Sequence, residues 1–132
     1  TIHGDLNLEN VLVGPGDFVW LIDFAQTRDG HPLFDFAHLE AEMIAQVLAP
    51  QISTPQAYLD LLQGHPEPAY AHLAGLRSAI QEIAGRCLFN PSQPSEYTLA
   101  LCMACLGALK FTNLDAHQKH LLYLTAAYLQ TT

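Results

Sequence analysis

A chain of 132 residues is long enough for one globular domain, and half of its residues are apolar, so it can bury a core. The 13 Asp and Glu residues outnumber the five Lys and Arg residues, and the formal charge of −8 argues against a nucleic-acid surface. Polar residues interrupt every apolar stretch before it reaches the roughly 18 residues of a membrane span, so we expect neither nucleic acid nor a membrane as a partner.

The start of the chain and its cysteines bear on its origin and compartment. The chain begins at Thr1, without a basic segment followed by an apolar one, so we expect a piece of a longer protein without a signal peptide. Its three cysteines, Cys87, Cys102 and Cys105, cannot all pair with one another, and such sparse use predicts a reducing cytoplasm. Cys102 and Cys105 have the spacing of a zinc half-site, but the leucines around them predict core cysteines.

Near the N-terminus the pattern predicts a β-hairpin. Two short β-like runs, Asn10–Val13 and Phe18–Asp23, flank the sequence Gly-Pro-Gly-Asp, which has the composition of a tight turn. Antiparallel strands of similar length begin and end together, so we expect Asp23 to return to the edge that holds Asn10.

From Pro32 onward the apolar residues recur at helical spacing, which predicts five helices. We therefore expect an α+β, mainly α, fold: a single domain over 1–132, in which a hairpin segment (1–31) packs on a helical body (32–132). The predicted helices are 33–49 before Pro50, 54–63 capped by Thr54, 68–88, 95–112 capped by Ser95, and a last helix capped by Asn113 or Asp115 and ending at Leu129.

The chemistry of the chain concentrates in two stretches, HGDLNLEN at residues 3–10 and WLIDFAQ at residues 20–26. The hairpin would bring the carboxylates of Asp5 and Asp23 and the carboxamide of Asn10 together. This set can hold Mg²⁺-bound nucleotide phosphates beside a hydroxyl nucleophile, because Mg²⁺ prefers oxygen ligands. Asp5 would orient the acceptor hydroxyl and accept its proton, while Asn10 and Asp23 bind the metal.

The segment His3–Asn10 resembles the catalytic loop of the protein-kinase-like superfamily, in its aminoglycoside phosphotransferase and choline kinase branch. Leu21–Ala25 resembles the metal-binding segment of that family. Gly4 and Ala25 indicate the branch, since protein kinases usually carry arginine and glycine at these positions. The stretch Gly30–Ala37 is similar to the next family segment, where an aspartate braces the catalytic loop.

The resemblance covers about residues 1–45 and implies a kinase-like C-terminal lobe, with Mg²⁺ and ATP as cofactors and a small-molecule hydroxyl as acceptor. It gives supporting positions to His3, Asn7 and Asp35. Asn7 stands where protein kinases often place a lysine that touches the transferred phosphate, and a neutral amide would stabilise that charge less. The sequence contains neither the glycine-rich loop nor the strand lysine of the N-terminal lobe, so we expect that lobe as a partner.

A second resemblance implies a different class of function. The segment Trp20–Ile44 is similar to a ternary-complex-associated domain, a kinase-like branch found in bacterial multidomain signalling or conflict proteins. The alternative to an enzyme is therefore a non-catalytic interaction module. The acidic composition would favour a cationic acceptor, such as an amino sugar or a choline-like alcohol, without identifying one.

Several other side chains have structural interpretations. His117 and His120 lie one helical turn apart and could chelate a metal, but their polar neighbours favour a solvated helix face. The carboxylates of Glu40 and Glu42 could face a cationic substrate, and we expect them to face water. The apolar repeat over residues 70–84 has helical spacing, and packing explains it without a ligand.

Overall fold

The computed structural model describes residues 1–131 of the chain. A two-stranded antiparallel hairpin is followed by a body of helices, so the predicted α+β, mainly α, fold is confirmed. Five of the helices have eight residues or more, which is the predicted number. The elements are β1 (Val11–Val13), β2 (Val19–Leu21), α1 (Leu33–Met43), α2 (Ala49–Gln51), α3 (Pro55–Leu62), α4 (Ala71–Gly85), α5 (Ser95–Ala108) and α6 (Ala116–Leu129).

The hairpin is present but shorter than predicted. Each strand has three residues, in a register that pairs Val11 with Leu21. A 3-10 turn at Pro15–Asp17 connects the strands. Asn10 and Asp23, the predicted outer ends of the strands, lie outside the ladder. Asn10 belongs to a short 3-10 turn, and Asp23 leaves the extended region with a φ of 59°.

The first long helix runs further than predicted. α1 continues through a π-helical turn at Ile44–Leu48 into α2, and Pro50 lies inside α2. In a regular helix the proline ring meets the carbonyl of the residue four positions earlier, here Gln46. The wider π turn directly before Pro50 shifts the carbonyl groups relative to the ring, so the usual clash with the Gln46 carbonyl does not apply. The helix therefore ends at Gln51 and not before the proline.

Two of the predicted helix caps are present, and the third is wrong. The Thr54 side chain accepts a hydrogen bond from the Ala57 N–H at 3.2 Å. Asp115, and not Asn113, caps α6: its carboxylate accepts from the Gln118 N–H at 2.8 Å, and the Gln118 side chain accepts from the Asp115 N–H. α5 begins at the predicted residue without a side-chain cap and ends four residues before the predicted position.

The predicted third helix is in place but shorter, because a 3-10 turn at Pro68–Tyr70 precedes α4. On α4, Leu73 is buried in the core, whereas Leu76 and Ile83 are exposed. Packing therefore explains only part of the apolar repeat, and the rest of it lies on the surface.

The core lies among α1, the π turn, α3, α5 and α6. Cys102 and Cys105 of α5 are both buried there, which confirms them as core cysteines. Burial raises the pKa of the Cys105 thiol, and a protonated thiol is a poor nucleophile and metal ligand.

Within residues 1–131 none of the helices has the length and apolar character needed to cross a bilayer.

The prediction that the acidic residues of the first helix face water is wrong for Glu40. Its carboxylate is fully buried and accepts hydrogen bonds from Arg77 Nη2 at 3.2 Å, Gln81 Nε2 at 3.2 Å and the Tyr97 hydroxyl at 2.9 Å. A buried charge without partners is costly, and these three donors offset that cost. The Glu40 contact therefore ties α1 to α4 and α5.

The prediction of a solvated face is also wrong for His117. Its Nε2 lies 3.1 Å from the carbonyl oxygen of Ala49 and 2.7 Å from that of Ile52, because the first turn of α6 packs over the end of α2. His120 is exposed, as predicted. The two histidines therefore face different surroundings, and His117 has a structural role.

Candidate functional site

The loop before β1 is held in place by its own polar side chains. The Asn7 side-chain oxygen accepts from the N–H groups of Glu9 at 3.0 Å and Asn10 at 3.2 Å, and so caps the short 3-10 turn. Asn10 and His3 are both buried, although they are polar. The turn fixed by Asn7 therefore determines where the Asn10 side chain lies.

Asp5 and Asn10 are in direct contact. The Asn10 Nδ2 group donates to the Asp5 backbone carbonyl at 2.8 Å and lies 3.3 Å from the carboxylate atom Oδ2. From the other side, Asn7 Nδ2 lies 3.3 Å from Asp5 Oδ1. Two amide groups thus orient one half-buried carboxylate.

His3 links this loop to the segment that leaves β2. The Asp5 N–H donates to His3 Nδ1 at 3.3 Å, so Nδ1 is the acceptor nitrogen of the ring. Nε2 then carries the proton and donates to the Ile22 carbonyl oxygen at 2.8 Å. The His3 ring also packs against the Phe24 ring, with centroids 4.9 Å apart. His3 therefore holds the residues on both sides of Asp23.

A backbone hydrogen bond places Asp23 near Asn10. The Ile22 N–H donates to the Asn10 carbonyl oxygen at 3.0 Å, which places the following residue beside the loop. Its φ of 59° is uncommon for a residue other than glycine, and such conformations cost about 1–3 kcal/mol and cluster at functional sites. Within residues 1–131 the exposed Asp23 carboxylate accepts no hydrogen bond, so it is available to a ligand.

Asp35, at the start of α1, supports the loop from behind. Its Oδ2 accepts from the His3 N–H at 2.8 Å, and its Oδ1 accepts from the Gly4 N–H at 3.0 Å. Gly4 has a φ of 85°, and a Cβ there would lie 2.2 Å from the Gln26 carbonyl oxygen. Only glycine fits this position, so the bend that exposes two N–H groups to Asp35 requires it.

The side chains of Asn10 and Asp23 fit a hard cation in their donor chemistry. Asn10 Nδ2 is engaged by Asp5, which leaves its Oδ1 as the atom for a cation, and Asp23 offers a free carboxylate. Within residues 1–131 no cluster of three or more His, Cys, Asp and Glu could hold a metal, so a cation here would need phosphate or water oxygens as further ligands.

A polar cavity of about 610 Å³ opens beside Asp5. The acidic residues Glu9 and Glu42 also line it, together with His38. Burial raises the pKa of the Glu42 carboxyl, the nearby His38 opposes this, and the charges of Glu9 and Asp5 raise the pKa further. The cavity therefore concentrates negative charge next to the oriented carboxylate.

One wall of this cavity was missed in the sequence, although the spacing of three polar residues in the first helix indicates it. His38, Glu42 and Gln46 all line it, and they recur every fourth residue along the first helix. Residues four apart share one helix face, so three polar side chains at that spacing on an apolar helix predict a polar surface.

The family model for ternary complex associated domain 9 matches residues 1–80, a region that contains the loop, the hairpin and the first three helices. The match covers more than half of the chain, and the protein belongs to this family. It confirms the ternary-complex-associated domain predicted from residues 20–44, whereas the resemblance to phosphotransferases stays a prediction. No curated protein and no solved structure matches the chain.

Proposed function

We propose that this domain carries the hydroxyl-binding and metal-binding half of a phosphotransfer site, which moves a phosphoryl group from ATP to a hydroxyl of a small molecule. One observation carries the proposal: the carboxylate of Asp5 is oriented by two amides at the edge of a polar cavity. A second carboxylate, that of Asp23, follows β2 beside the same loop. A carboxylate held in position, with a second one free to bind a metal, suits a reaction in which positioning and charge stabilisation are the main requirements.

Each residue then has a defined task. Asp5 accepts a hydrogen bond from the acceptor hydroxyl and aims its oxygen at the γ-phosphorus of ATP. It takes the hydroxyl proton as the new P–O bond forms, while the bond from the γ-phosphorus to the bridging oxygen breaks and ADP leaves. Asn10 Oδ1 and the Asp23 carboxylate would hold Mg²⁺. When bound, the metal neutralises negative charge on the transferred group. His3 and Asp35 keep the loop and the segment after β2 in register with each other.

The cavity beside Asp5 bears on the acceptor. Its acidic lining, with Glu9 and Glu42, favours a hydroxyl compound that carries positive charge, such as an amino sugar or a choline-like alcohol. The sequence contains no glycine-rich loop or strand lysine, and we propose that an N-terminal lobe supplies these groups to the nucleotide.

Asp5→Asn tests the enzymatic part of the proposal. In the full-length protein that contains this domain, transfer of radiolabelled γ-phosphate from ATP to a panel of amino sugars and amino alcohols should fall by about 10²–10⁴-fold in this variant, because the amide cannot accept the proton. Asp60→Asn is the matched control: Asp60 lies on α3, outside the site, and the same change there should leave transfer intact. Unchanged transfer in Asp5→Asn would remove Asp5 from the mechanism.

A magnesium titration followed by NMR tests the metal site without any turnover. The backbone amides of Asn10 and Asp23 should shift first, because their side chains would bind the ion. Shifts spread evenly over the other acidic residues would count against this assignment.

A second candidate function, a non-catalytic interaction module, has an observation of its own. The hairpin and the residues after it expose eight large apolar side chains, among which Val13 is 70% and Trp20 52% exposed. An apolar surface of this kind is typical of protein–protein contacts, and an adjoining domain of a multidomain protein could cover it. The remaining members of the set are Leu12, Phe18, Val19, Leu21, Ile22 and Phe24.

One experiment distinguishes the two candidate functions. If the domain is part of an enzyme, the full-length protein transfers phosphate, and Asp5→Asn lowers transfer by about 10²–10⁴-fold and leaves partner binding intact. If it is an interaction module, the full-length wild type shows no transfer, and Trp20→Ser weakens partner binding because it removes the largest apolar side chain of the hairpin.

A further inference from the structure

A second cavity, of about 300 Å³, lies next to the one that contains Asp5. The two share His38 and Phe111 as lining residues, so they adjoin at these side chains. The walls of the second cavity come from the N-terminal loop, the segment between β2 and α1, α1, α5 and the turn after α5. Phe34 and Met103 line it together with Phe111, so much of its surface is apolar.

Small residues of α5 provide the space for this cavity. Ala100, Ala104, Gly107 and Ala108 line it, and their spacing places them on one face of the helix. A Cβ at Gly107 would have no atom within 4 Å, so the cavity is open at that point.

The charge of this cavity is opposite to that of its neighbour. Arg28 and Lys110 line it, and within residues 1–131 neither has a carboxylate within ion-pair distance. Asp35 is the one acidic residue among the lining residues, and its two oxygens accept from the N–H groups of His3 and Gly4. We call this space, lined by Arg28 and Lys110, the basic cavity.

Two cations without a carboxylate partner at one place are notable in so acidic a chain. Arg28 Nη1 donates to the Gln26 carbonyl oxygen at 3.0 Å, and Lys110 Nζ lies 5.8 Å from the centroid of the Phe111 ring, so neither charge is neutralised. The sequence has only five Lys and Arg residues against 13 Asp and Glu. Arg77 pairs with Glu40, and Arg86 pairs with Glu82. Of the other three cations, two line the basic cavity. Only Lys119, on α6, lies elsewhere.

We propose that the basic cavity binds a small organic carboxylate with an apolar body, such as an arylalkanoic acid. The apolar part would pack against Phe34 and Met103, and the carboxylate would be bound by Arg28 and Lys110. Arginine and lysine form strong charge-assisted hydrogen bonds with carboxylates, and a volume of about 300 Å³ is at the small end of ligand pockets. This site does not depend on the proposed phosphotransfer.

Binding of 3-phenylpropionate to the protein, followed by amide shifts in NMR spectra, tests the charge requirement. The carboxylate should bind at least about tenfold more tightly than 3-phenylpropanamide, which has the same shape without the charge. The Gly107 and Lys110 amides should be among those that shift. Equal affinity for the two compounds, or shifts confined to the hairpin, would overturn the proposal.

Single variants test which cation is responsible. Lys110→Gln and Arg28→Gln should each weaken binding of 3-phenylpropionate about tenfold, because each removes one charge from the basic cavity. Lys119→Gln is the matched control, since it removes the same charge from α6, and it should leave the affinity unchanged. If Lys119→Gln weakens binding as much as Lys110→Gln, general attraction and not the basic cavity explains the binding.

A pair of glycine variants tests the place of binding. Gly107→Leu should fill the basic cavity and abolish binding, whereas Gly75→Leu on α4 should not affect it. A Cβ at either position meets no atom within 4 Å, and neither glycine has a positive φ, so both variants should fold. Binding that survives Gly107→Leu would overturn the proposal.

Discussion

Glu40→Ala tests the buried contact that joins α1 to α4 and α5. The Glu40 side chain is 0% exposed, that of Arg77 is 11% exposed, and a nitrogen of one lies 3.2 Å from an oxygen of the other. Removing the carboxylate leaves a buried guanidinium without its counter-ion and takes one hydrogen-bond partner from each of Gln81 and Tyr97. Breaking a buried pair in this way costs about 3–5 kcal/mol, which lowers the Tm of a domain of this size by about 10–18 °C.

Thermal unfolding followed by circular dichroism measures this loss. Glu82→Ala is the matched control, because Glu82 also pairs with an arginine, Arg86, at 3.3 Å, but these side chains are 74% and 73% exposed. Exposed pairs contribute only about 0–1 kcal/mol. Equal losses of Tm in the two variants would contradict this expectation, because burial would then have no effect on what an ion pair contributes to stability.

Gly4→Ala should lower the free energy of unfolding, measured with urea, by about 1–3 kcal/mol, because alanine is strained at the positive φ of this position and its Cβ would collide with the Gln26 carbonyl. Glu96→Gln should flatten the fall of Tm at acid pH. The N–H groups of Asn90 and Phe89 bond the Glu96 carboxylate, each at 2.8 Å, and lower its pKa. The stabilisation is present above the ordinary pKa of 4.5 and is lost as pH falls through the lowered value.

One control variant accompanies each of these two predictions, for Gly4→Ala and for Glu96→Gln. Gly75→Ala, in the interior of α4, should raise stability by about 0.5–1 kcal/mol, and a loss equal to that of Gly4→Ala would contradict the strain argument. Glu67→Gln changes an exposed carboxyl and should leave the acid limb of the profile unaltered. Superimposable Tm profiles of the wild type and Glu96→Gln would rule out the bonds to the loop as a source of stability.

The parts of the fold that depend on neighbouring residues were predictable. Apolar runs on both sides of a Gly-Pro-Gly-Asp turn determine the hairpin, and Thr54 and Asp115 cap helices through N–H groups three residues away. The contact between Asp5 and Asn10 spans only five residues of the chain. The exact strand lengths were not predictable, because Asn10 lies in a 3-10 turn and Asp23 has a positive φ, and neither feature is visible in the apolar pattern.

The order and type of the elements, and the short loop that holds Asp5, follow from local sequence alone, because turns, caps and helical spacing are set by residues a few positions apart. The burial of Glu40 depends on the packing of distant helices, since its partner Arg77 lies 37 residues away. The same holds for the basic cavity, whose cations Arg28 and Lys110 come from opposite ends of the chain. Burial and local charge depend on which elements pack together, and that depends on contacts summed over the whole molecule.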